Sequence, residues 1–130
     1  MNTNANTNIQ LAAIAIELAP GERYSGAVLD STGLVLHHLI LLPARPDTRK
    51  NWDDAMAWAT SVGGDLPSPQ EQSLLFANCR DALPKVWCWS NKEHEEGASY
   101  AWDCTFDNGG QDGYRKSYEG SAVAVRRLIP

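Results

Sequence analysis

The first part of the chain contains two apolar runs that are separated by a short polar connection. The runs cover residues 27–29 and 34–42, and residues 30–33 between them end in a glycine. Strand-like runs joined by a short glycine-containing connection are typical of a β-hairpin, because glycine adopts the backbone angles that a tight reversal needs. The pattern therefore predicts an antiparallel hairpin in this part of the chain.

An earlier apolar run, residues 9–18, precedes a turn at residues 20–22. Its composition is strand-like, although Gln10 and Glu17 interrupt it. We expect it to form an N-terminal strand, whose free edge would be available for association with another chain. Residues 1–8 are small and polar and predict a flexible leader.

Two helices are predicted in the middle of the chain, and each has a clear start. Asn51 is placed to cap the first helix, and the glycines at positions 63 and 64 end it. Ser68 caps the second helix, Pro69 suits its first position, and Glu71 completes a capping box. The apolar positions that step by three and four along the first helix are Ala55, Trp58, Ala59 and Val62.

After Pro84 the pattern changes to short strands that are joined by polar and glycine-rich connections. Strands are predicted at residues 86–90, 100–106 and 122–128, with a further one at residues 114–118. The order predicts an α+β fold, in which two helices pack on short antiparallel strands, with an N-terminal strand and a β-hairpin. No internal repeat or boundary is visible, so residues 9–130 are expected to form a single domain.

The composition is that of a folded, acidic chain. Apolar residues make up 43% of the 130 residues and charged residues 21%, which argues against disorder. The net charge is −5 and the pI is near 5.0. These values argue against a general nucleic-acid binder, because phosphate contacts are made by clustered Lys and Arg.

The start of the chain lacks the basic residues and the continuous apolar core of a secretory signal. The run at residues 9–18 is too short to span a bilayer, so no membrane insertion is expected. Three cysteines cannot all pair within one chain, and reduced thiols are the cytoplasmic default, so we expect synthesis in the cytoplasm. One bridge between Cys88 and Cys104, in neighbouring predicted strands, stays open as an alternative for an oxidising setting.

Strand alternation assigns faces to the later residues, since successive side chains point to opposite sides of a sheet. Trp87 and Trp89 share a face, and Cys88 takes the other. Most of the five tryptophans are expected to serve the core, where large aromatic side chains usually pack. In the next strand the inward positions are then Trp102, Cys104 and Phe106, and the outward positions are Asp103 and Thr105.

The segment from residue 91 to residue 118 holds most of the side chains that are suited to binding. It mixes charged, amide and tyrosine side chains with glycines, as binding loops do; the alternative is a set of merely polar connections. No acid, base or nucleophile pattern is assembled, so we expect a chain that is not an enzyme. The predicted ligand-binding residues are Asn91, Lys92, His94, Asp103, Thr105, Asp107, Asn108, Gln111, Asp112, Tyr114 and Lys116.

No metal or other cofactor is expected. Residues 107–113 are rich in oxygen donors that suit calcium, but they lack EF-hand spacing, so calcium is a minor alternative. Zinc is disfavoured, because the cysteines form no Cys-x-x-Cys pair and His37 and His38 diverge in a strand. Cys88 and Cys104 are expected to be packing residues rather than nucleophiles.

A set of local signatures extends over residues 20–129. In chain order they are residues 21–26 with Ala27-Val28-Leu29, His38-Leu39-Ile40, Trp52-x-x-Ala55-x-x-Trp58-Ala59, Gly63-Gly64-Asp65-Leu66-Pro67-Ser68 with Glu71, Leu74-Leu75-Phe76-Ala77-Asn78, Trp87-x-Trp89-Ser90, Tyr100-Ala101-Trp102 with Phe106, Lys116-Ser117-Tyr118-Glu119-Gly120, and Val125-Arg126-Arg127. In these signatures the chain resembles a family of small bacterial and phage domains related to the C-terminal domain of the Legionella collagen-like adhesin. The helix and Leu-Pro-Ser elements are shared with the wider C-type-lectin-like group, which includes sulfatase-modifying enzymes. The resemblance therefore implies a C-type-lectin-like fold.

Relatives with this fold generally display a variable surface from their last strands and loops, and the adhesin domain binds sulfated polysaccharides as a trimer. This acidic chain is a poor match for sulfated glycans, and it lacks the Glu-Pro-Asn and Trp-Asn-Asp motifs with which C-type lectins hold calcium and sugar.

The closing Lys-Ser-Tyr-Glu-Gly and Val-Arg-Arg patterns look like the versions that phages and prophages carry. The resemblance implies a lectin-like recognition domain of that type, which presents residues 91–118 to a cell-surface glycan or a protein. The alternative is a structural virion or tail component that self-assembles, or docks on virion proteins, through its N-terminal strand. In either case the protein would be made in the cytoplasm and be part of a phage particle.

Overall fold

The structure is a computed structural model that describes residues 6–130. Within these residues there are two α-helices and two small antiparallel sheets, which confirms the predicted α+β class. A 3-10 helix at Arg80–Ala82 follows the second α-helix. The elements in chain order are β1 (Arg23–Leu29), β2 (Val35–Leu41), α1 (Trp52–Ser61), α2 (Pro69–Asn78), β3 (Trp87–Glu93), β4 (Tyr100–Thr105), β5 (Gly110–Arg115) and β6 (Val125–Leu128).

The two sheets are built from different parts of the chain. The first has the strand order β1-β2-β6, so the predicted hairpin is present and the last strand pairs with its second arm. The second is a meander with the order β3-β4-β5. In this meander β4 is the central strand, and β5 is an edge strand with one free side.

Both helices begin where local capping chemistry predicts. The Asn51 side chain accepts a hydrogen bond from the Asp54 amide at 2.9 Å, which satisfies one of the free amides of the first turn. Ser68 and Glu71 form the reciprocal capping box of α2, and Pro69 occupies its first turn. Gly63 has a φ of 84°, the left-handed conformation that ends α1.

The core is divided into two clusters that lie on opposite faces of the β3-β5 sheet. One cluster packs α2 and the first sheet against Cys88, Cys104 and Phe106. The other packs α1 and the residues just before β6 against Trp89 and Ala101. Because adjacent residues of a strand point to opposite faces, Cys88 and Trp89 contribute to different clusters. The central strand of this sheet is therefore covered on both sides.

The predicted N-terminal strand is not formed. Residues 6–19 have no regular secondary structure, and Leu11 is 73% exposed. A strand needs the backbone hydrogen bonds of a partner edge, and apolar composition alone does not supply that partner. Of the predicted leader, residues 1–5 lie outside the described residues, and residues 6–8 are exposed.

Two other strand predictions shift along the sequence. The strand predicted at residues 114–118 begins earlier, at Gly110, because residues 106–109 reverse the chain and pair it directly with β4. The last strand is shorter than predicted. Residues 122–124 are fully buried but are not part of a sheet, and the Ala124 carbonyl accepts a hydrogen bond from the Leu42 amide.

A buried ion-pair network joins α2 to the first sheet. Glu71, which is 2% exposed, accepts hydrogen bonds from Arg127 of β6 on both carboxylate oxygens, each at 2.7 Å. His37 of β2 contacts the same carboxylate at 2.7 Å. Burial raises the pKa of Glu71, but the hydrogen bonds from Arg127, the Ser68 amide and His37 outweigh it, so the pKa lies below the ordinary value of 4.5. Glu71 is therefore a charged residue held inside the fold.

Glu71→Gln should lower the free energy of unfolding at pH 7 by about 2 kcal/mol, because Arg127 loses its charged partner. Glutamine still accepts the capping hydrogen bond of the Ser68 amide, so the change isolates the charge. Urea denaturation followed by tryptophan fluorescence measures the difference. Glu96→Gln, at an exposed site, is the matched control and should stay within about 0.5 kcal/mol of wild type. Equal losses in the two variants would contradict this account.

The loss of unfolding free energy in Glu71→Gln should depend on pH. A carboxyl whose pKa is lowered by folding stabilises the native state above its ordinary pKa, and this contribution disappears as the pH falls through the folded-state pKa. The difference between wild type and Glu71→Gln should therefore narrow in denaturation experiments below a pH of about 4.5. A difference that is constant between pH 7 and pH 3 would show that the network does not act through the ionised carboxylate.

Candidate functional site

The centre of the candidate site is Asp103, in the middle of β4. It lies opposite Trp89 on one side and opposite Asp112 on the other. Side chains that are directly opposite in antiparallel strands project from the same face of the sheet. One face of the β3-β5 sheet therefore carries both Asp103 and Asp112.

Two aromatic rings from the outer strands meet over this aspartate. Trp87 of β3 is opposite Thr105, and Tyr114 of β5 is opposite Ala101, so the two ring-bearing residues flank the position of Asp103 diagonally. Their ring centroids are 4.5 Å apart with an interplanar angle of 33°. The rings therefore meet across the central strand at the level of Asp103, whose side chain projects from the same face. We call Trp87, Asp103, Thr105, Asp112 and Tyr114 the aromatic–acid face.

The Asp103 carboxyl is unusual for a buried group. The residue is 1% exposed, and Oδ2 has no hydrogen-bond partner within residues 6–130. Burial raises the pKa of Asp103 to about 7, and the negative charge of Asp112 adds to the rise. The prediction that Asp103 points outward to solvent is wrong. Strand alternation shows only which residues share a face of the sheet, and both faces of β4 are covered.

Lys116 lies beside the aromatic–acid face but is already engaged. Its ammonium is 2.7 Å from a carboxylate oxygen of Glu93 and 4.5 Å from the centroid of the Trp52 ring. The Trp52 indole in turn donates to the Ser90 carbonyl at 2.8 Å. Lys116 therefore serves to tie the end of β5 to β3 and α1.

Two of the predicted residues lie on the opposite face of the same sheet. His94 stacks on Trp102 with ring centroids 4.3 Å apart. The ring also lies against Gly113, where a Cβ atom would be only 2.6 Å from the imidazole. Gln111 donates to the Pro69 carbonyl at 2.6 Å, and so holds β5 against the start of α2.

The remaining predicted residues lie at the ends of the strands. Asn91 donates to Asp65 at 3.3 Å, and Lys92 pairs with an exposed glutamate at 2.9 Å. Asp107 and Asn108 form the turn before β5, where Asn108 accepts from the Gly110 amide at 2.9 Å. The structure therefore brings Asp103, Thr105, Asp112 and Tyr114 together and places the rest in separate surroundings.

Trp87 and Tyr118 belong to this surface and were not predicted as binding residues. Tyr118 continues the row of rings, with its centroid 6.0 Å from that of Tyr114. Alternation correctly put Trp87 and Trp89 on one face, and their rings are in edge contact at 5.0 Å. The contact of Trp87 with Tyr114 depends on the register of three strands, which the pattern of a single strand does not contain.

The cysteines are buried free thiols, as the sequence predicts for packing residues. Cys88 and Cys104 are directly opposite each other in β3 and β4, and neither is bridged. Burial raises the pKa of Cys88 to about 12 and that of Cys104 to about 11. Since the thiolate is the nucleophilic form, these thiols are unreactive near neutral pH.

Metal-ligand clusters and membrane-spanning helices are both absent from residues 6–130. Nowhere in residues 6–130 do three or more His, Cys, Asp or Glu side chains come together as metal ligands would. Of residues 107–113, whose oxygen donors suit calcium, residues 107–109 lie in a turn and residues 110–113 belong to β5. In the described part of the chain, no helix has the length and apolar character needed to cross a bilayer.

Comparison with known proteins gives one distant similarity. No protein-family model matches the chain. A 91-residue stretch, 66% of the chain, is 36% identical to formylglycine-generating enzyme from Bos taurus, and it covers 22% of that protein. The chain thus spans about a fifth of the length of this relative, which has a C-type-lectin-like fold. The similarity agrees with the predicted architecture. Because the relative is an enzyme, the absence of catalysis stays a prediction, as does the resemblance to the adhesin-related domains.

Asp103→Asn should raise the free energy of unfolding relative to wild type, and this gain should increase with pH. An acid whose pKa is raised by folding weakens the native state as the pH rises from its ordinary pKa to its folded pKa. The gain of the variant over wild type should therefore increase between about pH 4 and pH 7, by at most about 1.4 kcal/mol per pH unit, and then level off. Chemical denaturation at a series of pH values measures it.

Asp107→Asn, in the exposed turn next to β5, is the matched control and should not follow this profile. A pH-independent difference for Asp103→Asn would show that the carboxyl is not held in a low-dielectric setting.

Proposed function

We propose that this chain is a non-catalytic, lectin-like recognition domain of the phage or prophage type, which binds a cell-surface protein or glycan through the aromatic–acid face. The observation that carries the proposal is the row of rings on that face. Tyr114 and Tyr118 are 38% and 51% exposed, although large aromatic side chains usually pack inside. Tyrosine gives a large contact area at a low entropy cost, which is why binding surfaces use it.

The charge of the surrounding segment supports a basic or neutral partner. Residues 91–119 contain seven carboxylates and three basic side chains, so they carry −4 of the net charge of −5. Like charges at an interface repel, and complementary charges increase the rate of association. A sulfated glycan is therefore disfavoured, and a protein with basic groups is favoured over a neutral sugar. The charged residues of this segment are Lys92, Glu93, Glu95, Glu96, Asp103, Asp107, Asp112, Arg115, Lys116 and Glu119.

Two features support a role without catalysis. The three thiols are buried, and the raised pKa values of Cys88 and Cys104 keep both protonated. Asp103 has a pKa that would suit a general acid or base, but the residue is only 1% exposed in the absence of a ligand. If Tyr114 moves to admit a ligand, Asp103 becomes reachable, but the thiols of Cys88 and Cys104 lie on the opposite face of the sheet and cannot act together with it.

Partner binding should depend on Tyr114 and not on Tyr100. The two tyrosines have nearly equal exposure, 38% and 37%, but strand alternation places them on opposite faces of the same sheet. A glycan array and affinity capture from host-cell surface extract identify the partner, and biolayer interferometry measures its affinity. Tyr114→Ala should weaken binding at least about tenfold, the scale of a truncated interface anchor, whereas Tyr100→Ala should change it little. Failure to retain any glycan or protein, or equal effects of the two changes, would count against the proposal.

A second function, docking through the N-terminal segment, is favoured by a separate observation. Apolar side chains of residues 9–14 and of the β1-β2 hairpin line a groove of about 540 Å³. Ile9 and Leu11 remain 60% and 73% exposed there. Contiguous exposed apolar surface usually marks an interaction site. The proposal of a structural component that self-assembles therefore rests on this apolar groove rather than on strand pairing.

Light scattering of the purified protein tests this second function. Wild type should form oligomers at micromolar concentration, and Leu11→Asp should be monomeric, because a charge cannot be buried without a partner. Val86→Asp, a substitution of another exposed apolar residue that does not line the groove, is the control and should leave the oligomers intact. A monomeric wild-type protein would remove self-assembly from consideration.

A further inference from the structure

Asp103 presents an unsatisfied oxygen to the aromatic–acid face. Buried polar groups in folded proteins almost always have a hydrogen-bond partner, so an exception calls for an explanation. Oδ2 of Asp103 has none within residues 6–130, although the residue is 1% exposed. The carboxyl is flanked on this face by Trp89, by Asp112 and by the meeting rings of Trp87 and Tyr114, and in its ionised form Oδ2 can only accept, so a donor would satisfy it.

Asp112, directly opposite Asp103 on the edge strand β5, provides a second carboxylate. It is exposed, and its negative charge acts on Asp103 strongly enough to contribute to the raised pKa. Two neighbouring carboxylates repel each other, and a cation between them removes that repulsion while donating hydrogen bonds. The chemistry of the pair therefore favours a positively charged ligand that carries N–H groups.

The rings above the acids suit the same ligand. Cations bind over the faces of Trp and Tyr side chains. Tyr114 lies on the edge strand β5 and is 38% exposed. It is held by stacking on Trp87. A ligand can reach Asp103 only if this ring turns away from Trp87.

The basic side chains next in the sequence do not fill this position. The Arg115 guanidinium lies 5.7 Å from the Tyr100 ring, on the other face of the sheet, and Lys116 is paired with Glu93 over Trp52. A hard metal ion such as calcium would need six or more oxygen ligands, which two carboxylates do not provide.

We infer that the aromatic–acid face receives the ammonium of a lysine or the guanidinium of an arginine from a protein partner, held between the carboxylates of Asp103 and Asp112 and the rings of Trp87 and Tyr114. The inference rests on the proposed function and names the group that this surface recognises. The inferred partner is therefore a protein with a basic surface rather than a neutral sugar.

Nuclear magnetic resonance titration at constant ionic strength tests the inference directly. The probes are N-acetyl-lysine methylamide and N-acetyl-arginine methylamide, and the control is N-acetyl-norleucine methylamide, which has a similar aliphatic side chain without the charge. One of the two charged probes should cause saturable shifts in the Trp87 indole and Tyr114 ring signals, and the norleucine probe should not. Equal shifts with norleucine or with methyl glucoside, or no saturable shift with either charged probe, would overturn the inference.

Three variants test whether the two carboxylates contribute to binding of the charged probe. Asp103→Asn and Asp112→Asn should each weaken binding of the charged probe at least about tenfold, because each removes one of two charges that contact the cation. Asp107→Asn removes a charge from the neighbouring turn and should leave the affinity within about twofold, since exposed charges at a distance are screened. Dispersed spectra of all three variants verify that they fold. Unchanged affinity in Asp103→Asn and Asp112→Asn would also refute the cation site.

The two proposals fail in different ways. If a captured partner depends on Tyr114 but neither charged probe binds, recognition by this face stands and the cation site is wrong. If the charged probes bind as expected and no glycan or protein is captured, the cation site stands and the recognition role is wrong.

Discussion

The position of α2 depends on one buried carboxylate, that of Glu71. It caps its own helix through the Ser68 amide and also accepts two hydrogen bonds from Arg127 on β6. Arg127 extends the network to Asp65, which in turn accepts from Asn91 on β3. A buried charge without partners is strongly unfavourable, so the network favours the arrangement in which the start of α2 and the strand β6 both reach Glu71.

The parts of the fold that local chemistry determines could be predicted from the sequence. Helix starts follow from hydrogen bonds within four residues, and Asn51 and Ser68 act as predicted. Strands depend on distant partners, and here prediction was less successful. The apolar run at residues 9–18 has no partner edge and forms no strand, whereas residues 110–113, with two glycines that disfavour strands, are drawn into one by pairing with β4.

The candidate site divides in the same way. Composition indicates the segment in which the candidate site lies, and alternation predicts that Trp87 and Trp89 share one face, as their ring contact confirms. Composition and alternation do not predict how the three strands are aligned with one another. Only that register shows that Trp87 and Tyr114 meet at the level of Asp103. For this reason strand alternation alone places Asp103 outward and does not include Trp87 in the proposed binding surface.

The buried network and the proposed recognition surface both involve the β3-β5 sheet. β3 is fixed at its end by Asn91 and along its length by the core around Trp89. β5 is an edge strand in which no residue is buried, and Gln111 attaches its start to α2. The proposed surface thus combines Trp87 on β3, Asp103 on β4 and Tyr114 on β5, whose two ends are held by Gln111 and Lys116, and such preorganisation would lower the entropy lost on binding.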